Sequence, residues 1–178
     1  MLYQPPLLRS SHRFLLTRRG TTALACLIVS TLVPGSALAT PASGFTAVQQ
    51  WKGLYGELDV RTKAEKSDKW DVKLQTKSQS DVYVTRNSIA AGGNSGWHMH
   101  PGPSLITVTV GEIVAYDSDD PLCSPRVHRA GEGFVDDGDH AHILRNESGA
   151  PAETVAVQFL EQGAVRRIDA PAPNNCNF

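Results

Sequence analysis

Apolar and polar residues alternate in short runs through the second half of the chain. A period of two is typical of β-strands, in which successive side chains point to opposite faces. The clearest runs contain Val82 and Val84, then Ile106, Val108 and Val110, and finally Val155, Val157 and Phe159. Turn-forming residues separate these runs at 92–94, 111–112, 118–121 and 149–151. Short strands at this spacing predict an all-β fold, either an antiparallel sandwich or a barrel.

The first 39 residues have the features of an export signal. Basic residues, an apolar run and a stretch of small residues follow one another: Arg9, Arg13, Arg18 and Arg19, then Ala23–Val29, then Pro34–Ala39. This order predicts a signal peptide over residues 1–39, cleaved after Ala39, and a mature chain that is periplasmic or secreted. The pair Arg18-Arg19 leaves a twin-arginine export route open.

A membrane anchor and a lipid anchor are the alternatives for the same segment, and both are less well supported. Residues 20–39 are uncharged, but Pro34-Gly35 interrupts them and they are weakly apolar for a membrane span. Cys26 lies inside the apolar run, whereas a lipid-modified cysteine follows such a run. We therefore expect no stable membrane insertion after cleavage.

The charge of the cleaved chain disfavours polyanionic partners. The chain has 17 basic and 18 acidic residues, and four of the basic residues but none of the acidic ones precede Thr40. Cleavage therefore leaves 13 basic and 18 acidic residues, a formal charge of −5. Nucleic acids and anionic membranes bind basic surfaces, so we expect neither of them as the main partner.

Four of the six histidines form two pairs, each with one residue between the partners. Residues two apart in a strand point to the same side, so His98 and His100 should share one face, as should His140 and His142. Neutral imidazole is a common ligand of zinc, iron, copper and nickel. The two pairs therefore indicate a metal site.

The stretches around these pairs resemble the two motifs of the cupin superfamily. The first family motif has a glycine, a His-x-His pair, a glutamate and a closing glycine, and it is matched here by Gly96, His98, His100 and Gly111. The second is Pro-x-Gly-x-x-His-x-x-x-Asn, and His142 and Asn146 fit its spacing. The resemblance covers about residues 81–160. It implies a double-stranded β-helix, or jelly-roll barrel, in which Asn146 helps to close a turn.

Departures from the motifs change the metal shell that the resemblance implies. Ser104 stands where the family usually places a glutamate ligand, and Asp137 and Asp139 replace the proline and glycine of the second motif. The implied shell is three imidazoles without a carboxylate, from His98, His100 and His142. We expect a divalent transition metal, one of Fe, Zn, Cu, Ni or Mn, and the missing carboxylate should weaken the binding of Mn.

Polar residues beside the second motif leave alternatives open. His140 is either a fourth ligand or, as the spacing to Asn146 favours, a hydrogen-bond partner outside the shell. Asp136, Asp137 and Asp139 surround a glycine, and this pattern is typical of a tight solvated turn. The alternative for these aspartates is a cation-binding rim or an acid group.

Ser104 also predicts which face of its strand is internal. It shares the parity of Ile106, Val108 and Val110, so all four side chains should face the interior of the barrel. No set of histidine and aspartate partners of the hydrolase type accompanies Ser104, so a role as nucleophile is unsupported.

The 139 residues after the signal are enough for one domain. We divide them into a leader with a first strand region at 40–62, a cupin-like barrel at 63–162 and an irregular tail at 163–178. Residues 45–51 of the leader fit a short helix or a strand equally well. Cys123 and Cys176 are an even pair in an exported chain, which predicts a disulfide that attaches the tail to the barrel.

The expected function is that of an exported metal-binding protein with a small-molecule pocket inside the barrel. If the chain is an enzyme, three protein ligands leave coordination positions open, which favours a metal-dependent oxygenase, of the dioxygenase type, that acts on a small organic substrate. Two alternatives remain: a non-catalytic metal or small-ligand binding module, and a metal-free structural barrel. The sequence identifies neither the substrate nor a catalytic residue. Barrels of this kind often pair through sheet edges, so a homodimer is a further expectation.

Overall fold

The computed structural model describes residues 39–63, 65 and 69–178, so the predicted signal peptide lies outside the described residues apart from Ala39. The described residues form β-strands and no α-helix, which confirms the all-β prediction. Among them, no helix has the length and apolar character needed to span a membrane. The strands are β1 (Ser43–Tyr55), β2 (Asp59–Lys63), β3 (Asp71–Gln75), β4 (Ser80–Asn94), β5 (His98–Met99), β6 (Ser104–Val110), β7 (Glu112–Asp117), β8 (Arg126–Arg129), β9 (Gly133–Asp136), β10 (His142–Arg145), β11 (Ala152–Glu161) and β12 (Ile168–Asp169).

Ten of these strands form one antiparallel sheet that curls into a nearly closed barrel. The main path through the sheet runs β12-β5-β10-β4-β11-β6-β9, while β1 pairs with β4, β7 with β10, and β8 with β7. Spatial neighbours are therefore mostly far apart in sequence, as a jelly roll requires. The topology confirms the predicted jelly-roll barrel, and it places β5 beside β10, so the two histidine motifs meet.

The barrel begins earlier in the chain than residue 63, where the sequence analysis placed its start. β1 pairs with β4 along its length, from Ser43 opposite Asn94 to Tyr55 opposite Ser80. Most side chains of β1 are exposed on both faces, so the strand lacks the apolar alternation that reveals a half-buried strand. Backbone pairing holds it in place. β2 and β3 instead form a separate hairpin, which contains residues 63 and 71–75.

Buried apolar side chains form two clusters. One contains Ile89, Val108, Ile113, Ala115, Leu144 and Ala152, and the other contains Trp97, Val114, Tyr116 and Ile143. On β6, Ser104, Ile106 and Val108 are buried as predicted, but Val110 is exposed. Val108 lies opposite Thr154 and Val110 lies opposite Glu153, so β6 carries one extra residue at this point. This bulge turns Val110 outward and explains why the parity prediction fails there.

The predicted disulfide between Cys123 and Cys176 is present and joins the tail to the second cluster. The tail is less irregular than predicted, because Ile168 and Asp169 form β12 against β5. Beyond the disulfide, the ring of Phe178 stacks parallel to Trp97 at a centroid distance of 6.4 Å. The tail therefore covers the outer side of the first histidine motif.

Asn146 closes its turn through hydrogen bonds in both directions, as the resemblance implied. Its Nδ2 donates to the carbonyl oxygens of Ile89 (3.0 Å) and Ala150 (2.7 Å), and its Oδ1 accepts from the backbone N–H and hydroxyl of Ser148. Asn146 is almost completely buried. Water therefore cannot readily replace these bonds if the side chain is removed.

We expect Asn146→Ala to lower the free energy of unfolding by roughly 1–3 kcal/mol, because buried carbonyl groups lose their donor. Urea unfolding followed by circular dichroism measures the change. Ser148→Ala is the matched control, since it removes one partner of Asn146 and leaves both donated bonds in place. Equal stability of Asn146→Ala and the wild type would contradict a structural role for this side chain.

Candidate metal centre

The three histidines that the motifs select come together inside the barrel. His98 lies on β5 directly opposite His142, the first residue of β10, and His100 follows β5. The ring centroids are 4.4 Å apart for His98 and His142, 4.9 Å for His98 and His100, and 5.4 Å for His100 and His142. One nitrogen atom from each ring lies within 4.8 Å of the other two. All three side chains are buried.

Backbone carbonyls fix the orientation of two of these rings. Nδ1 of His98 lies 2.8 Å from the carbonyl oxygen of Gly96, and Nδ1 of His100 lies 2.6 Å from that of Arg166. A carbonyl oxygen only accepts, so Nδ1 carries the proton in both rings and Nε2 keeps its lone pair. This arrangement is typical of metal-binding histidines. It also gives the tail a role in the site, because Arg166 belongs to the tail.

The surroundings of His98 and His100 favour the uncharged form of both rings. Burial, reinforced by the neighbouring His142, holds the pKa of His98 well below its usual value. Burial likewise lowers the pKa of His100. Only the neutral ring offers a lone pair to a metal, so these shifts favour coordination at neutral pH. Three convergent imidazoles fit a divalent transition metal in donor type and number.

A cavity of about 70 Å³ adjoins the three rings. Its lining includes Ser104, Gln158 and Arg166 together with the histidines. The Ser104 hydroxyl and Nη1 of Arg166 are buried there without a hydrogen-bond partner in the described part of the chain. Buried polar groups of this kind are usually paired, so a ligand bound in the cavity is a candidate partner for both.

His140 lies outside the group of three. Its ring is at the surface among carboxylates, with Nδ1 2.6 Å from Asp139 and Nε2 3.4 Å from Asp117. Burial opposes its charge, but the Asp139 hydrogen bond and nearby aspartates outweigh it and raise the pKa of His140. The shared-face prediction fails because β10 starts at His142, so His140 is not in the strand. These contacts are with carboxylates and not with the other three histidines, and the roles considered for His140, ligand or hydrogen-bond partner outside the shell, stay predictions.

Asp136 is the site residue that the sequence analysis misplaced. Asp137 and Asp139 are exposed, as a solvated turn requires, but the Asp136 side chain is only 5 % exposed. Its Oδ1 lies 3.3 Å from Nδ1 of His142, and its Oδ2 lies 3.6 Å from Nε2 of His100. Asp136 shares the parity of the partly buried Phe134 on β9, and this was the signal for an inward carboxylate.

The turn after Asp136 has to contain glycine. Gly138 has a φ of 88°, and a Cβ there would lie 2.5 Å from the carbonyl oxygen of Gly102 and 2.8 Å from that of His100. The backbone of this turn therefore packs directly on the first histidine motif. The N–H of Gly138 donates to Oδ1 of Asp136 at 3.1 Å. This close approach holds the Asp136 carboxylate beside the histidines.

Comparison with known proteins gives partial structural likenesses only. No protein-family model and no curated protein matches the chain. A structure of oxalate oxidase is 29 % identical with a TM-score of 0.43, over 50 % of this chain and 46 % of that one. The polyketide cyclase RemF from Streptomyces resistomycificus is 15 % identical (TM-score 0.44, 53 % and 63 % covered). A cupin domain of an Enterobacter cloacae transcriptional regulator is 21 % identical (TM-score 0.37, 43 % and 79 % covered).

The match therefore spans less than half the length of the oxalate oxidase. The assignment of the fold is carried by the chain itself: a nearly closed antiparallel jelly roll, with His-x-His on β5 and the second histidine opposite it on β10. These are the features that the two motifs predicted. The chain therefore has the jelly-roll barrel that the resemblance to the cupin superfamily implied.

Proposed function

We propose that the chain is an exported metalloprotein in which His98, His100 and His142 bind one divalent transition metal ion. The observation that carries this proposal is the convergence of three buried imidazoles whose nitrogens lie within 4.8 Å of one another. The carbonyls of Gly96 and Arg166 prepare two of the rings for coordination. The donor set fits Fe, Zn, Cu, Ni or Mn. The Cys123–Cys176 disulfide is compatible with export to an oxidising compartment.

We further propose that the site serves the oxidation of a small organic substrate by oxygen. A bound metal would supply coordination and polarisation of oxygen or substrate. The chain provides a cavity of about 70 Å³, which limits the substrate to a few heavy atoms. Arg166 lines the cavity, and Nη1 of its guanidinium group is buried without a hydrogen-bond partner among the described residues. Guanidinium binds carboxylates in a planar, directional way, so a small carboxylate is the substrate class that this cavity fits.

The test is oxygen uptake by protein loaded in turn with Fe(II), Mn(II), Cu(II), Ni(II) and Zn(II). The substrates are small carboxylates, including oxalate and glycolate, and the matched control is His142→Gln. We expect at least one redox-active metal to support uptake with one of these acids, and the control to abolish it. Metal binding without uptake for any substrate would contradict the enzyme and leave a binding module.

A further inference from the structure

We propose that Asp136 is a fourth protein ligand and supplies the carboxylate that Ser104 does not. The inference rests on the proposed metal at the three histidines. It replaces the expected shell of three imidazoles with one of three imidazoles and one carboxylate. The carboxylate comes from β9, which pairs with β6. The family motif has its glutamate on the other strand of this pair, at the position of Ser104 in β6.

The first argument is the register of the two strands. In the antiparallel pairing of β6 and β9, Ser104 lies directly opposite Asp136. Directly paired residues project to the same face of a sheet, with Cβ atoms about 4.5–5.5 Å apart. A serine side chain is short, so it leaves space on this face that a carboxylate from the facing strand can occupy. The acidic group therefore stands on β9 and not on β6.

The second argument is the position of the carboxylate oxygens. Oδ2 of Asp136 lies 3.6 Å from Nε2 of His100, the nitrogen whose lone pair is free. Two donors on one tetrahedral ion, with bonds of about 2.1 Å, lie roughly 3.4 Å apart. The separation of Oδ2 and Nε2 is therefore close to that of two ligand atoms on one metal, although Asp136 does not belong to the group of nitrogens that all lie within 4.8 Å of one another.

The third argument is the lack of any other partner for Oδ2. Oδ1 accepts from the N–H of Gly138 and lies near Nδ1 of His142. Oδ2 is buried and has no hydrogen-bond partner among the described residues. An unpaired oxygen of a buried carboxylate is costly unless a cation or donor faces it. A metal ion at the three histidines satisfies Oδ2.

The alternative is a positioning role, in which Asp136 only orients His142 through Oδ1. Asp136→Asn separates the two roles, because the amide oxygen can still accept from Gly138 while the negative charge is lost. Loss of an anionic ligand should lower the affinity for Mn(II), which prefers oxygen ligands, by roughly 100-fold or more. The loss of an orienting partner typically lowers metal affinity by only about 10–100-fold. The affinity for Zn(II), for which imidazoles are good ligands, should fall less. If Asp136 only positions His142, Asp136→Asn should lower the affinities for both metals by similar factors.

The experiment is competition titration of Mn(II) and Zn(II) against a chelator, read by Mn(II) paramagnetic resonance and by free-metal dye. The matched control is Asp137→Asn, a neutralised aspartate next in the chain whose side chain is 65 % exposed. We expect a fall in the Mn-to-Zn preference for Asp136→Asn alone. The double variant Ser104→Glu with Asp136→Asn returns the carboxylate to β6, and it should recover much of the Mn(II) affinity.

A second measurement uses the wild-type chain, so it does not depend on the folding of a variant. In protein with ¹³C-labelled aspartate carboxyl groups, metal addition should shift one carboxylate stretch in the infrared difference spectrum. No shift, or an unchanged Mn-to-Zn preference in folded Asp136→Asn, would overturn the ligand role of Asp136. A wild-type chain that binds neither metal would instead overturn the proposed metal site itself, so the two failures are distinguishable.

Discussion

Alanine at His98, His100 or His142 is expected to weaken transition-metal binding by more than about 100-fold, beyond the loss that follows from removing an orienting partner. Each substitution removes one nitrogen donor from a buried group of three. The barrel should remain folded, because its core is formed by the two apolar clusters and not by the histidines. Calorimetric titration with Zn(II) measures the affinity, and circular dichroism checks the fold.

His140→Ala is the matched control for these three variants. Its ring lies at the surface among aspartates, so its removal should change the affinity by no more than a few-fold. A loss with His140→Ala as large as with the triad variants would mean that this histidine moves into the shell when metal binds. Wild-type affinity in all three triad variants would show that the metal binds elsewhere.

The double substitution Cys123→Ser with Cys176→Ser is expected to lower the free energy of unfolding by about 4 kcal/mol. The cysteines are 53 residues apart. In the chain-entropy model, a disulfide that closes a loop of this length raises the free energy of the unfolded state by about 4 kcal/mol. The tail should also loosen, because Phe178 packs on Trp97 only two residues beyond the bond. Since the Arg166 carbonyl orients His100, metal affinity should fall as well.

Urea unfolding of oxidised wild type and of the double variant measures this stability difference. Reductant is the internal control, since it should destabilise the wild type and leave the variant unchanged. If the variant is as stable as the wild type and keeps its metal affinity, then the disulfide does not hold the tail on the barrel and the tail does not support the site.

The sequence was sufficient where side-chain burial and backbone geometry coincide. β4, β6 and β11 are buried on one face, so their apolar residues recur with a period of two and the strands are readily predicted. β1 is mostly exposed, so no such pattern marks it. The histidines of the two motifs were identified from ligand type and spacing, and the structure brings three of the four together.

The remaining parts of the site depend on contacts between distant residues. His140 and His142 have the spacing of a same-face pair, but a turn separates His140 from the strand. Asp136 was interpreted as part of a solvated turn because aspartates and a glycine follow it, although it ends β9 with an inward side chain. The His100 ring contacts the backbone carbonyl of Arg166, which is 66 residues away in the sequence. Any residue type at 166 offers this carbonyl, so no residue pattern predicts the contact.

The proposed function depends on one metal ion held by His98, His100 and His142. The most direct measurement is the elemental composition of the protein purified from the exported fraction without added metal or chelator, quantified per chain. We expect about one divalent transition metal ion per chain, retained through gel filtration and absent from His98→Ala purified in the same way. A metal-free wild-type protein that also fails to take up Fe, Zn, Cu, Ni or Mn on titration would contradict this expectation.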